Sequence, residues 1–126
     1  MRVEISRTYR LESARRLPRL PADHPCARVH GHGFEVEVVL VGETDPELGW
    51  LVDYEDITEA WAPLAATLDH AFLNDVPGLE NPTSEHLARW IAQALLPALP
   101  MLAAIHVRET PVTRATYRIR AAQDHD

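Results

Sequence analysis

The sequence predicts an α+β domain in which two strands, two helices and two strands follow one another, with both helices on one face of a four-stranded antiparallel sheet. Three observations carry this. Apolar and polar residues alternate loosely through 3–17 and 32–42, and again through 103–110 and 113–120, which is the period of a half-buried strand. Between these pairs, residues 54–67 and the segment opened by Asn81 place apolar residues three or four apart, the period of a helix. No repeat or low-complexity stretch intervenes, and 126 residues suffice for one domain burying about two-thirds of its unfolded surface. The domain is expected over 1–120, followed by a flexible tail over 121–126.

Composition narrows the function classes. No apolar run approaches the ~20 residues that span a bilayer, and Met1-Arg2-Val3-Glu4-Ile5 does not begin a signal peptide. A single cysteine, Cys26, rules out an internal disulfide framework and suits a reducing cytoplasm. The net charge of −7 argues against a general nucleic-acid or anionic-membrane partner. Charge is uneven, however. Residues 1–28 hold seven arginines against three acids, net +4, which leaves −11 for the remainder. Arginine offers a planar fork for phosphate oxygens, so a phosphorylated small molecule could be received there; a merely solvated strand face explains the same charges.

The elements follow in order. Tyr9 and Leu11 lie in the long first strand. Pro18, Pro21 and Pro25 make 18–29 an irregular loop. If the second strand begins near His30, then His30, His32, Phe34, Val36, Val38 and Leu40 share one face, and Glu35 and Glu37 meet solvent on the other. Gly31 would let the backbone approach something closely. Asp45 to Gly49 form a turn, and Asp53 is a suitable N-cap for the first helix. Ile57, Trp61, Leu64 and Leu68 make its buried stripe, with Pro63 placed to kink or shorten it. Thr83 caps the second helix and Glu85 favours its positive end. Leu87, Trp90, Ile91, Ala94 and Leu95 form its stripe, and Pro97 and Pro100 end it.

Chemistry-bearing residues cluster around the second strand. His30 and His32 stand side by side at the end of an apolar face, where a divalent metal could take both, though a two-histidine match alone equally fits surface residues near a turn. Glu109 follows Ile105 and Val107 on the inward face of its strand, where a carboxylate is costly unless it meets a partner. A ligand with two adjacent N–H donors, such as the amino-pyrimidinone edge of a pterin or guanine, would satisfy both oxygens; an exposed glutamate at a strand end is the plainer alternative. Asp69-His70 could be an orienting carboxylate and a base, although adjacent residues usually point apart. Cys26 could be a buried apolar thiol, a metal ligand, or a nucleophile or base if nearby cations, with Arg28 and the metal site as candidates, lowered its pKa.

Taken together these blocks resemble a known family. Cys26-x-x-x-His30-Gly31-His32, Gly49-Trp50-Leu51-Val52-Asp53-Tyr54, Leu68-Asp69-His70, Leu73-Asn74-Asp75, Glu80-Asn81-Pro82-Thr83-Ser84-Glu85 and Glu109-Thr110 occur in this order. They are similar to the 6-pyruvoyltetrahydropterin synthase superfamily, and within it to the bacterial 6-carboxytetrahydropterin synthases of queuosine biosynthesis. The resemblance covers about residues 9–118. It implies a tunnelling fold, with sheets closing into a trimeric barrel, trimers stacking into a homohexamer, and active sites between subunits. It also implies a lyase converting 7,8-dihydroneopterin triphosphate to 6-carboxy-5,6,7,8-tetrahydropterin with loss of acetaldehyde and triphosphate. By position, His30 and His32 would be zinc ligands, Cys26 the general base, and Asp69 with His70 its proton-relay partner. Glu109 would anchor the pterin, Thr83 and Ser84 would line its pocket, and Arg28 would be a further substrate contact.

One position departs from that pattern. The family's first strand ends in an aromatic-x-Ala-Ala/Ser-His-Arg-Leu motif whose histidine is the third zinc ligand, and this chain reads Leu11-Glu12-Ser13-Ala14-Arg15-Arg16-Leu17. Guanidinium has no free lone pair and cannot ligate zinc, so two histidines alone should hold the metal weakly. Three readings stay open. Cys26, His24 or Glu12 completes the site; or Arg15 substitutes electrostatically without metal; or the chain is a paralogue that binds a pterin or purine with little or different catalysis.

Overall fold

The computed structural model describes residues 1–119, so the tail expected from Ala121 lies outside the described residues. Strands β1 (Arg2–Arg15) and β2 (His30–Glu43) form one long antiparallel pair, with Arg2 opposite Glu43 and Arg15 opposite His30. Helices α1 (Tyr54–Leu68) and α2 (Ser84–Leu95) come next, then β3 (Leu102–Arg108) and β4 (Ala115–Arg118). The sheet order is β1-β2-β3-β4, antiparallel throughout. β2 and β3 are antiparallel neighbours in the middle of the sheet, so the chain between them leaves and returns at the same end of the strands, and both helices lie on one face. The predicted α+β architecture is the observed one.

The core is where that face meets the helices. Leu11, Phe34, Val36, Val38, Leu40, Ile105 and Val107 are buried from the sheet, and Ile57, Trp61, Leu64 and Leu68 from α1. Each fully buried aliphatic or aromatic side chain contributes about 1.5–3 kcal/mol of transfer free energy. On α2 the buried positions are Ser84, Leu87, Ala88, Ile91, Ala92 and Leu95. Ala94, expected in the stripe, is exposed, and Trp90 is half-buried. The small side chains of Ala88 and Ala92 lie on the sheet side instead, while Trp90 donates its indole N–H to the Pro77 carbonyl at 3.0 Å. Gly78 beneath it has φ +92°, and an added Cβ would lie 3.1 Å from the indole, so that turn needs glycine.

Local chemistry explains the helix ends. Asp53 accepts from the Glu55 amide at 3.0 Å, and Glu55 and Asp56 occupy the positive first turn of α1. Thr83 accepts from the His86 amide at 3.1 Å. Pro63 does not shorten α1, which continues to Leu68; it is solvent-exposed, and its own carbonyl accepts the Thr67 hydroxyl at 3.1 Å. On the outer face of the sheet, Glu35 is exposed as expected but Glu37 is not fully so. It pairs with Arg108 across the strands at 3.1 Å. Partial burial pushes its carboxyl up, and hydrogen bonds from Ser6 and Arg108 more than offset this, leaving it below the usual glutamate value.

Candidate functional site

The candidate site lies at the end of the sheet where β1 finishes and β2 begins. The β1–β2 register sets Arg15 opposite His30, Ser13 opposite His32 and Leu11 opposite Phe34. With side chains alternating, these six share the helix-facing side. His30 and His32 are half-buried, their ring centroids 6.3 Å apart. The Nδ1 of His30 faces the Arg28 carbonyl at 2.8 Å, and the Nδ1 of His32 faces the Gly33 carbonyl at 2.8 Å. A carbonyl only accepts, so each Nδ1 carries the hydrogen, and in the neutral ring each Nε2 keeps a free lone pair. A Cβ added at Gly31 would meet nothing within 4 Å, so the close approach expected there is not made within the described chain.

Arg15 is buried, with 3% of its surface exposed. Its Nη1 donates to the Pro82 carbonyl at 3.0 Å, and its Nη2 donates to Glu109 Oε1. The guanidinium carbon lies 5.0 Å from the centre of the Phe34 ring, and that ring stacks on His32 at 5.1 Å. The Nε–H is buried with no partner among the described residues. Glu109 Oε1 also accepts the Ser84 hydroxyl at 2.5 Å, while Oε2 lies 3.8 Å from His32 Nε2. The expectation that a ligand must satisfy both Glu109 oxygens therefore needs correction. The chain supplies the compensating charge itself through Arg15, and Oε2 is the oxygen left for another donor. Burial pushes the Glu109 carboxyl up, but the hydrogen bonds of Ser84 and Arg15 and the charges of Arg15 and His32 outweigh it, so the group sits below the usual range.

Asp69 and His70 reach this end of the sheet through a turn. Asp69 caps the C-terminus of α1, and its Oδ1 accepts from the Glu12 amide at 2.9 Å. The His70 amide donates to the Glu12 carbonyl, and the Ala14 amide donates to the Ala71 carbonyl at 2.9 Å. Residues 69–72 thus cover the β1 edge, with Phe72 bridged to Ala14 in parallel. His70 has φ 55°, an uncommon conformation for a non-glycine residue. This is how adjacent side chains meet: Asp69 Oδ2 lies 3.0 Å from His70 Nδ1. The Glu12 amide and then the His70 ring hold the Asp69 carboxyl below the usual aspartate range. An ionised Asp69 accepts from Nδ1–H and leaves Nε2 of the exposed imidazole free to exchange a proton.

A cavity of about 490 Å³ is lined by Ser13, Gly31, His32, His70 and Phe72, among others, and so joins one histidine of the pair to the Asp69-His70 turn. Cys26 and Arg28 do not line it. Cys26 is half-buried in a 3₁₀ turn, Pro25–Ala27, whose amide hydrogen-bonds to His24 Nδ1 at 3.1 Å, and Arg28 is exposed just beyond it. Within one chain the structure therefore gathers His30, His32, Arg15, Ser84 and Glu109, brings Asp69-His70 beside them, and leaves Cys26 and Arg28 on the neighbouring loop. Thr83 is half-buried with its hydroxyl used as the α2 cap. Of the other N-terminal arginines, Arg7 pairs with Glu55 at 3.2 Å and Arg10 with Glu12 at 2.7 Å, so these charges are met by the chain's own carboxylates.

The residues do not fit a three-ligand zinc site. Two imidazoles have the tautomer a metal needs, but the third side is a buried guanidinium. Among the described residues no three His, Cys, Asp or Glu side chains are grouped to hold a metal. Sequence reasoning saw Arg15 as a substitution and missed its bond to Glu109, its carbonyl partner Pro82, and Phe34 packed between Arg15 and His32. Phe34 was legible from its period-two spacing after His32; the other two were not.

Comparison with known proteins places this geometry. Residues 4–120 match the family described as 6-pyruvoyl tetrahydropterin synthase. The chain belongs to that family. A 6-carboxy-5,6,7,8-tetrahydropterin synthase from Synechocystis sp. is 36% identical over 119 residues, covering 90% of this chain and 91% of the relative. The Bacillus subtilis protein of the same name is 30% identical over 127 residues, covering 91% and 84%. The solved 6-pyruvoyl tetrahydropterin synthase of Caenorhabditis elegans superposes with a TM-score of 0.87 at 26% identity, covering 95% of this chain and 97% of that one. No helix among the described residues is long and apolar enough to cross a membrane.

Proposed function

We propose that the chain is a pterin-processing carbon–carbon lyase of the 6-carboxy-5,6,7,8-tetrahydropterin synthase type. Its substrate would be 7,8-dihydroneopterin triphosphate, and with one water consumed, acetaldehyde and triphosphate would be lost on the route to queuosine. The observation that carries this reading is the Asp69-His70 pair, which a left-handed turn holds against β1 so that His70 and His32 open on one cavity. Two relatives carrying that name and spanning about nine-tenths of the chain support it.

In this reading Glu109 Oε2 accepts from the N–H edge of the heterocycle, and Ser84 and Arg15 hold the carboxylate still. The side chain of the substrate lies towards His32 and His70. Cys26 takes a proton from a carbon of that arm, and His70, oriented by Asp69, relays it. Cys26 lies outside the cavity of its own chain, which fits a site completed between subunits of a cytoplasmic homotrimer or homohexamer. Thr83 and Arg28 are peripheral contacts at most of the same pocket. A second reading is favoured by one observation, the guanidinium at the third-ligand position: a paralogue that binds a pterin or purine with little or different catalysis.

Turnover of dihydroneopterin triphosphate, followed by triphosphate release and by the pterin product, tests the choice. The lyase reading expects release that Cys26→Ala lowers by about 10²–10⁴-fold. Tight pterin binding abolished by Glu109→Ala, with no triphosphate released by the wild-type chain, would replace it with the binding reading.

A further inference from the structure

We propose that this pocket is organised around a fixed guanidinium where a bound divalent metal would otherwise sit: Arg15 is the site's resident cation, and ligand binding is independent of zinc. The identity of the ligand rests on the pterin reading above; the metal preference does not.

Placement comes first. Arg15 is opposite His30 in the β1–β2 register and on the same face as both histidines, so its head group lies on the side from which a third ligand would complete their coordination. The side chain is then held there. Nη1 is on the Pro82 carbonyl, Nη2 is on Glu109, and Phe34 covers the guanidinium plane. Swinging it away to admit a metal would leave a half-buried carboxylate without its cation and strip the Pro82 carbonyl of its donor, and Pro82 is buried. A divalent ion held by the two Nε2 atoms would lie on the same face as a permanent positive charge, and like charges repel. No third protein ligand is grouped there to repay that repulsion among the described residues.

The guanidinium also supplies what the pocket needs from a cation. It is covalently part of the chain and does not exchange with solvent ions. Its Nε–H is buried and has no partner among the described residues. The same group bonds Glu109, so the cation and the acid that would receive the heterocycle form one unit. The ligand class that suits this unit has an N–H edge for Glu109 Oε2. Arg15 acts as a positioning residue: it sets the acid and the field, and takes no proton.

Zinc ion alone and a fluorescent pterin are the two probes. The purified wild-type chain, grown with zinc and titrated with it at equilibrium, should hold far less than one ion per chain, and its pterin affinity should not change when a chelator is added. Arg15→His should hold about one zinc per chain, with an affinity gain exceeding the roughly 10–100-fold that a supporting residue commands. Arg15→Lys should keep zinc out and retain more pterin affinity than Arg15→Met. Stoichiometric zinc on the wild-type chain that resists mild chelation overturns the proposal, as does pterin binding that the chelator abolishes. If Arg15→His fails to fold, the wild-type titration still decides. If no protein binds pterin, the ligand reading fails while the zinc comparison stands.

Discussion

Two charged pairs stand at the same end of the sheet, and their surroundings differ sharply. In Arg15–Glu109 the side chains are 3% and 27% exposed, and β1, the α2 cap segment and the end of β3 all contribute to it. In Asp69–His70 they are 38% and 79% exposed, and one turn supplies both. The first pair must remain matched because Arg15 has no water to fall back on and Glu109 is only partly exposed. The second is held by backbone hydrogen bonds to Glu12 and keeps a ring nitrogen facing solvent. Burial therefore makes one pair a fixed electrostatic frame, and exposure makes the other able to trade protons.

The largest effect should come from cutting the frame. Arg15→Met leaves Glu109 half-buried and uncompensated, and should cost about 3 kcal/mol, the lower end of the range for breaking a buried pair. Urea denaturation of Arg15→Met, Glu109→Gln and the double variant should show a double cost well below the sum of the singles. Additive costs would mean that the two groups do not depend on one another. The pair also has a pH signature. The folded Glu109 carboxyl lies below its unfolded value, so its contribution is complete above the ordinary carboxylate range and is lost as pH falls through the depressed folded pKa. Glu109→Gln should flatten that acid limb of the stability curve.

The exposed pair should respond the other way round. Asp69→Asn keeps an acceptor for the Glu12 amide but no longer fixes the His70 tautomer, so the unfolding midpoint should barely move while turnover falls by about 10²-fold or more. A stability loss as large as that of Arg15→Met would erase the contrast between the two pairs. The smallest effect on stability is expected from His70→Gly. Glycine takes φ 55° without the left-handed penalty but gives up more chain entropy, so stability should change by under about 1 kcal/mol, towards a gain. Activity should be lost nonetheless, because the proton-carrying ring is gone.

The sequence by itself determined the scaffold. Period-two alternation in 3–17 and 32–42, the caps Asp53 and Thr83, and the stripe Ile57, Trp61, Leu64 and Leu68 are local patterns, and local patterns translate directly into strands, helix ends and buried faces. The His30–His32 face was legible for the same reason, whereas Arg15 stood out only against the motif of the family that the chain resembles. What only the tertiary structure decided is what those residues touch. Arg15 and Glu109 are 94 positions apart, and their bond depends on the β1–β2 and β2–β3 registers together with the Pro82–Ser84 cap that closes over them. Asp69 and His70 are neighbours whose side chains would ordinarily diverge, and a single left-handed residue turned them together. Glu37, read as solvated, found Arg108 across the sheet. Charge pairing acts through space at a few ångströms, and a linear pattern carries no information on which distant charge will arrive there.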